Sequence, residues 1–208
     1  MLVYGADGFK MARISTREQI LQEADQLFYE GGFEGTSFAD IAAAVGISRG
    51  NFYYHFKTKD EILDGVISRR MEATRAMLDA WAAENDSPAE RIVSFIRILI
   101  DNRTKIMDFG CPVGTLSSEL AKLDHAAQER AADIFGLFRD WLAGQFRALG
   151  QEERADELAL HLLGRSQGVA VMATAFRDES FVRSEVDALE ARVQALCLAP
   201  SNHQPEEN

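Results

Sequence analysis

The chain has 208 residues, 47% of them hydrophobic, and a formal net charge of −11. That acidity excludes a protein that coats nucleic acid indiscriminately, while leaving room for one small basic surface. Two cysteines supply neither a disulfide framework nor a metal site, and no apolar run reaches the roughly 18 residues of a membrane span.

Strand signals are scarce, and helical spacing recurs from Thr16 to about Leu198. The first helix carries Ile20, Ala24, Leu27 and Phe28 on its apolar face and stops at Gly31-Gly32. Thr36-Ser37 precedes FADIAAAV, with Asp40 three residues after Ser37, which is the spacing of an N-terminal cap. Gly46 ends that short helix and Ser48 can cap the next. Thr58 precedes KDEIL, where acids in the first turn suit the helix dipole. A long helix is expected from Lys59 to Glu84, broken by NDSP at 85–88. One helix is expected from Ala89 to Met107 with Ile92, Phe95, Ile96, Leu99 and Ile100 as its stripe. FGCPVG (109–114) is a second break, and Pro112 suits a first helical turn. Asp124 is expected to cap a helix to Leu149, followed by helices over 152–176 and 182–198.

The start MLVYGADGFK has no secretory pattern, and Met11 is a candidate initiator. We expect a disordered or non-native extension over 1–12, a helix-turn-helix domain over 13–60, a helical bundle over 61–198 and a disordered tail over 199–208. Cytoplasmic residence is the natural reading. The fold class is therefore all-α, with no cofactor and no metal.

Residues 38–54 read as helix, short turn, helix. Such a unit places the N-terminal residues of its second helix in the DNA major groove. Those residues are Ser48, Arg49, Gly50 and Asn51. Arg49 has the fork for guanine and Asn51 the amide for adenine, and Gly50 allows close approach to the duplex. Tyr53, Tyr54 and His55 offer polar groups to phosphates, and Lys59 stands at the next helix start, where it can clasp one. Phe52 and Phe56, four apart, suit the core. No acid occurs between Ile41 and Lys59, although residues 1–60 hold 6 Lys+Arg and 8 Asp+Glu and the rest hold 16 and 25.

These motifs carry a resemblance. Gly32-Phe33…Thr36-Ser37, Ala42…Gly46-Ile47-Ser48 and Phe52-Tyr53-Tyr54-His55-Phe56-Lys57-Thr58-Lys59 resemble the N-terminal domain of TetR/AcrR-family transcriptional regulators. The resemblance covers about residues 13–65. It implies three DNA-binding helices and a helical C-terminal domain that binds an effector and dimerises. By matching positions it adds Thr36 to Ser48, Arg49, Asn51, Tyr53, Tyr54, His55 and Lys59 as DNA contacts.

For the C-terminal bundle, candidate effector-pocket residues are Phe95, Leu99, Met107, Phe109, Cys111, Leu116, Phe135, Phe138, Trp141 and Met172, a lining for a small apolar or aromatic molecule. The helix around 161–176 mixes small and apolar residues. It is either an interior helix or a dimer interface with the final helix, through Leu163, Gln167, Ala170, Val186, Leu189 and Val193. A homodimer would need a palindromic operator on double-stranded DNA. Cys111 sits before a helix start, in Gly110-Cys111-Pro112-Val113-Gly114-Thr115-Leu116-Ser117-Ser118-Glu119. Some members of the family resemble this pattern and sense electrophiles or oxidants with the cysteine. Here no cation follows it directly, and a small buried residue is the other reading. Three functions stay open: a ligand-responsive repressor, a thiol-sensing repressor, and a DNA-bound structural protein that recruits partners without a small ligand. An enzyme is not expected, because no nucleophile elbow, phosphate-binding loop or HExxH occurs.

Overall fold

Hydroxyl side chains set the first five helix starts. A computed structural model describes residues 14–198. The extension expected over 1–12 and the tail expected over 199–208 lie outside the described residues. Ser15 caps α1 (Thr16–Gly31), accepting the Glu18 N–H. Ser37 and Asp40 form a reciprocal capping box on α2 (Phe38–Val45). Ser48 caps α3 (Arg49–His55), and Thr58 caps α4 (Lys59–Glu84), as the sequence reading expects. Between α2 and α3 the chain turns at Gly46, whose φ of 74° is left-handed and favours glycine.

Ser87 and Glu90 make a second capping box on α5 (Pro88–Asp101). The helix expected over 89–107 divides at Asn102 (φ −105°, ψ 14°), and α6 (Arg103–Phe109) follows as a separate turn of chain. The apolar stripe does not mark this break, because Ile106 resumes core contact on the far side of it. Helix α7 spans Pro112–Lys122 with proline in its first turn. Asp124 does not cap the next helix: it takes φ 48°, and a turn through His125 delays α8 to Gln128–Ala148. A single 3-10 turn (Glu152–Arg154) leads to α9 (Ala155–Phe176). Helix α10 (Glu179–Leu198) begins three residues before the expected start, because Asp178 Oδ1 accepts the N–H groups of Ser180 and Phe181.

All regular structure among the described residues is helical. Helices α1 to α3 pack around Ile20, Ala24, Phe28, Ile41 and Phe52, and α4 carries Ile62, Leu63, Val66 and Ile67 into the same core. Helix α8 is the axis of the C-terminal part, packing against α4, α5, α7 and α9, while α10 lies chiefly along α5. The core is continuous from one part to the other.

Two cross-links position the first part on the second. Arg70 of α4, with a side chain only 10% exposed, donates to Asp25 of α1 and to the Pro112 carbonyl, both at 2.6 Å. Tyr29 of α1 donates to the Gly110 carbonyl at 2.8 Å. The Tyr29 pKa is pushed up to about 12, first by burial and next by the nearby Cys111, against the pull of Arg70. The unfolded phenol ionises near pH 10. Stability from the neutral phenol is therefore complete below about pH 10 and is lost as pH climbs through the folded value. Urea midpoints should fall between about pH 10 and 12, and Tyr29→Phe should remove part of that slope.

Candidate nucleic-acid interface

Two residues anchor α3 and the others face outward. Phe52 and Phe56 are fully buried, and Phe38 packs on Phe52 at 5.1 Å between ring centroids. At 100° per residue, the side opposite those anchors is centred on Gly50 and Tyr54, flanked by Asn51 and Tyr53. Exposure agrees: Tyr54 is 80% exposed and Tyr53 45%, and Arg49, Gly50 and Asn51 are exposed too. Ser48 is exposed, but its hydroxyl accepts the Asn51 N–H at 3.3 Å. His55 is half-buried, edge-on to Tyr54.

A Cβ built on Gly50 meets nothing within 4 Å. Glycine in a helix costs about 1 kcal/mol relative to alanine. Packing in the chain itself does not require that cost.

Arg49 stands at the edge of this surface. With Tyr53 it lines a hollow of about 230 Å³ between α2 and α3, which also takes in Ser37, Phe38, Ala39, Ala42 and Phe52. Phe38 and Ala39 open α2, where N–H groups have no carbonyl four residues back in the helix. A guanidinium, a phenol and a helix start around one hollow suit a phosphate. Gly50 and Tyr54 hold the most prominent positions of the outward face.

Two of the expected contacts have partners within the chain. Thr36 is buried, and its hydroxyl donates to the Gly32 carbonyl at 2.7 Å. Lys59 turns inward: its ammonium donates to the carbonyls of Phe33 (3.0 Å), Glu34 (3.2 Å) and Thr36 (3.4 Å) and sits 4.5 Å from the Phe33 ring centroid. Its side chain is 25% exposed. The carbonyls of the Phe33–Thr36 turn outcompete solvent for that ammonium because they converge on one point.

The expected effector lining packs largely in and against the core. Phe95, Leu99, Leu116 and Phe138 are buried in the core, with Phe95 against Phe138 at 5.5 Å. Met107, Phe135 and Trp141 pack against that core half-buried, and Phe109 and Cys111 are also half-buried. Met172 points outward from α9. None of the ten borders the hollow at α3, or a cleft of about 20 Å³ beside His161 and Arg192. Sequence reading missed Trp81, which meets Trp141 at 5.8 Å. It also missed two buried polar atoms without partners, Ser117 Oγ and Gln145 Oε1.

The expected dimer residues lie largely in the chain's own core. Leu163, Ala170, Val186, Leu189 and Val193 are buried within the chain, and Gln167 is half-buried. The reason is helical phase. Helix α9 turns Leu158, Leu162, Val169 and Ala173 inward, so its outer face shows Leu160, Gly164, Gly168, Val171, Met172 and Ala175. Leu160 is 61% exposed and Val171 60%.

Beside Cys111 in the chain, the structure supplies a contact that the sequence order hides. Arg70 reaches the carbonyl of Pro112, the residue after the cysteine. No group of three or more His, Cys, Asp or Glu among the described residues could hold a metal ion. No described helix is long and apolar enough to cross a membrane.

Comparison with known proteins meets this geometry at both ends of the chain. Residues 20–66, which hold α2 and α3, match the model of bacterial regulatory proteins of the tetR family. Residues 88–185 match the C-terminal domain of LmrA/YxaF-like transcriptional regulators. An uncharacterized HTH-type transcriptional regulator in the lacX 3' region of Lactococcus lactis subsp. lactis is 28% identical over 186 residues, 88% of this chain and 95% of its own. The HTH-type transcriptional repressor BepR of Brucella suis biovar 1 is 28% identical over 171 residues, 74% and 80% of the two chains. A TetR transcriptional regulator from Legionella pneumophila superposes with a TM-score of 0.77 at 26% identity, covering 88% of this chain and 99% of that one. With an outward recognition helix on an all-helical frame, and both parts matched to regulators of one kind, the chain belongs to the TetR family and is a DNA-binding transcriptional regulator.

Proposed function

We propose that the protein is a homodimeric repressor that binds a palindromic operator and releases it when a small apolar or aromatic effector binds the C-terminal bundle. In this reading residues 13–60 bind DNA and residues 61–198 bind effector and dimerise. The observation that carries it is the outer ridge of α3, where Gly50 and Tyr54 project, and where Gly50 keeps a space no part of the chain uses. Arg49 and Tyr53 take phosphate, Asn51 reads a neighbouring base, and Ser48 holds the start of α3. Two such helices on a two-fold axis would sit about 34–36 Å apart or a multiple of that.

An effector finds support in the half-buried Trp81–Trp141 pair and in the unpartnered oxygens of Ser117 and Gln145 inside an apolar bundle. A ligand with a flat apolar body and a hydrogen-bond donor would satisfy both features. Its binding would favour one position of α4 over another, with a coupling of ~1–3 kcal/mol.

The test is Gly50→Ala, measured on a duplex enriched from a random-sequence pool. The two expected effects have opposite signs. Stability should rise by about 0.5–1 kcal/mol. Affinity should fall roughly tenfold or more, because the new methyl group enters the groove contact. Asn51→Ala should instead relax preference at one base pair by ~1–3 kcal/mol. A stabilised Gly50→Ala protein with unchanged affinity would place the duplex elsewhere.

A second reading makes Cys111 the trigger. The guanidinium of Arg70 at the adjacent carbonyl and the position of Cys111 at the start of α7 favour it. Operator release by an electrophile in the wild type, absent in Cys111→Ser, would select this reading. Full release by Cys111→Ser would eliminate it.

A further inference from the structure

The turn Gly32–Thr36, between α1 and α2, is gripped from two sides by opposite charges. Glu119 of α7 accepts the Phe33 N–H through Oε2 and the Glu34 N–H through Oε1, both at 2.9 Å. Lys59 of α4 gathers the carbonyls of Phe33, Glu34 and Thr36. One turn thus presents its donors to a carboxylate and its acceptors to an ammonium. Gly32 makes the approach possible. Its φ is 83°, and a Cβ there would lie 3.0 and 3.3 Å from the two Glu119 oxygens. The Phe33 ring fills the centre, edge-on to Phe28 of α1 and to His125 beyond α7, each at 5.3 Å. Ser37, the cap of α2, follows the turn directly.

Neither Glu119 nor Lys59 belongs to the helix-turn-helix that the turn leads into. The two side chains come from α7 and α4, which also meet at the Arg70–Pro112 contact. Displacing α7 along α4 would pull the N–H side of the turn away from its carbonyl side. The strain would arrive at the first residue of α2, and so at the hollow shared with α3.

We infer that Glu119 is a positioning residue for DNA binding: it ties the place of α7 to the conformation of the Gly32–Thr36 turn and thereby to α2 and α3. This deepens the regulator reading above and rests on it for its DNA-dependent part. The step is a transfer of hydrogen bonds only, with no covalent change.

The test is hydrogen exchange on the full chain, comparing wild type, Glu119→Gln and the exposed charge control Asp133→Asn. Glutamine is isosteric, but it loses the charge and can accept only through its one oxygen. Without DNA, Glu119→Gln should speed exchange at Phe33 and Glu34 roughly tenfold or more. It should also speed exchange across residues 38–45, with α8 and α9 unchanged. A rise confined to residues 33 and 34 would overturn the inference and make Glu119 a local cap. With a duplex enriched from a random pool, DNA should slow exchange across residues 112–122 in wild type and in Asp133→Asn, and leave Glu119→Gln unaffected there. Equal slowing in Glu119→Gln, or none in wild type, would also overturn it. A wild-type chain that binds no duplex would defeat the regulator reading instead, and the DNA-free comparison would still decide the grip on the turn.

Discussion

Lys59→Met is expected to lower the stability of the protein by about 2–3 kcal/mol, read as a lower urea midpoint with an unchanged slope. The ammonium serves three carbonyls at 3.0 to 3.4 Å and lies over the Phe33 ring. Each hydrogen bond to a charged group contributes about 1.5–3 kcal/mol. The three share one donor group that water still reaches, so their sum is well below threefold. The nearby Glu34 carboxylate, 3.9 Å away and largely exposed, adds little. Methionine keeps most of the stem and its packing but leaves three carbonyls unpaired. Lys59→Arg should recover only part of the loss, because a planar fork does not converge on one point as an ammonium does. The opposite outcome is also informative. Unchanged urea midpoints with weaker binding to every duplex, and a shallower salt dependence, would return Lys59 to the phosphate contact that the sequence suggested.

The sequence revealed the local structure well, because local structure is written in adjacent residues. Ser37 with Asp40, Ser48 before α3, Thr58 before α4 and Gly46 between α2 and α3 each act within four positions, and each took its expected place. The outer face of α3 followed from Phe52 and Phe56 alone. What was not legible depended on distant partners. Lys59 looks free in sequence, since Phe33 lies 26 residues away. Arg70, 42 positions before Pro112, reaches that residue's carbonyl from α4. Glu119 stood in a quoted motif with no partner assigned, because its partners lie 86 and 85 residues before it. The burial of the expected dimer residues was not legible for a different reason. Helix α9 is apolar around most of its circumference, so periodicity shows a helix without showing which side faces in. The Asn102 break failed because its cap uses no proline or glycine.

Val171→Glu is expected to have the largest effect on DNA binding while leaving the fold intact. Val171 sits mid-way along an outer α9 face with Leu160, Gly164, Gly168, Met172 and Ala175, and Phe176 at its end is 72% exposed. Alongside it, the outer side of α10 shows Ser184, Ala188, Ala191 and Ala195, small enough for close helix approach. Arg165 with Glu185 and Arg192 with His161 tie the two helices together at their exposed rim. An apolar centre with a polar rim fits a self-complementary contact about a two-fold axis. A carboxylate at Val171 would face its own symmetry mate and be stripped of water, and neither cost falls on the isolated chain. Sedimentation should therefore show twice 23.1 kDa for the wild type and 23.1 kDa for the variant. Affinity for a palindromic duplex should drop roughly 10²–10⁴-fold, as the second half-site no longer benefits from effective concentration, while affinity for an isolated half-site stays near its wild-type value. Leu163→Glu is the contrasting variant. It is 6% exposed and faces the core, so it should unfold the chain and not merely separate two copies. A Val171→Glu protein that still sediments as a pair and holds the palindrome as tightly would move the interface off α9.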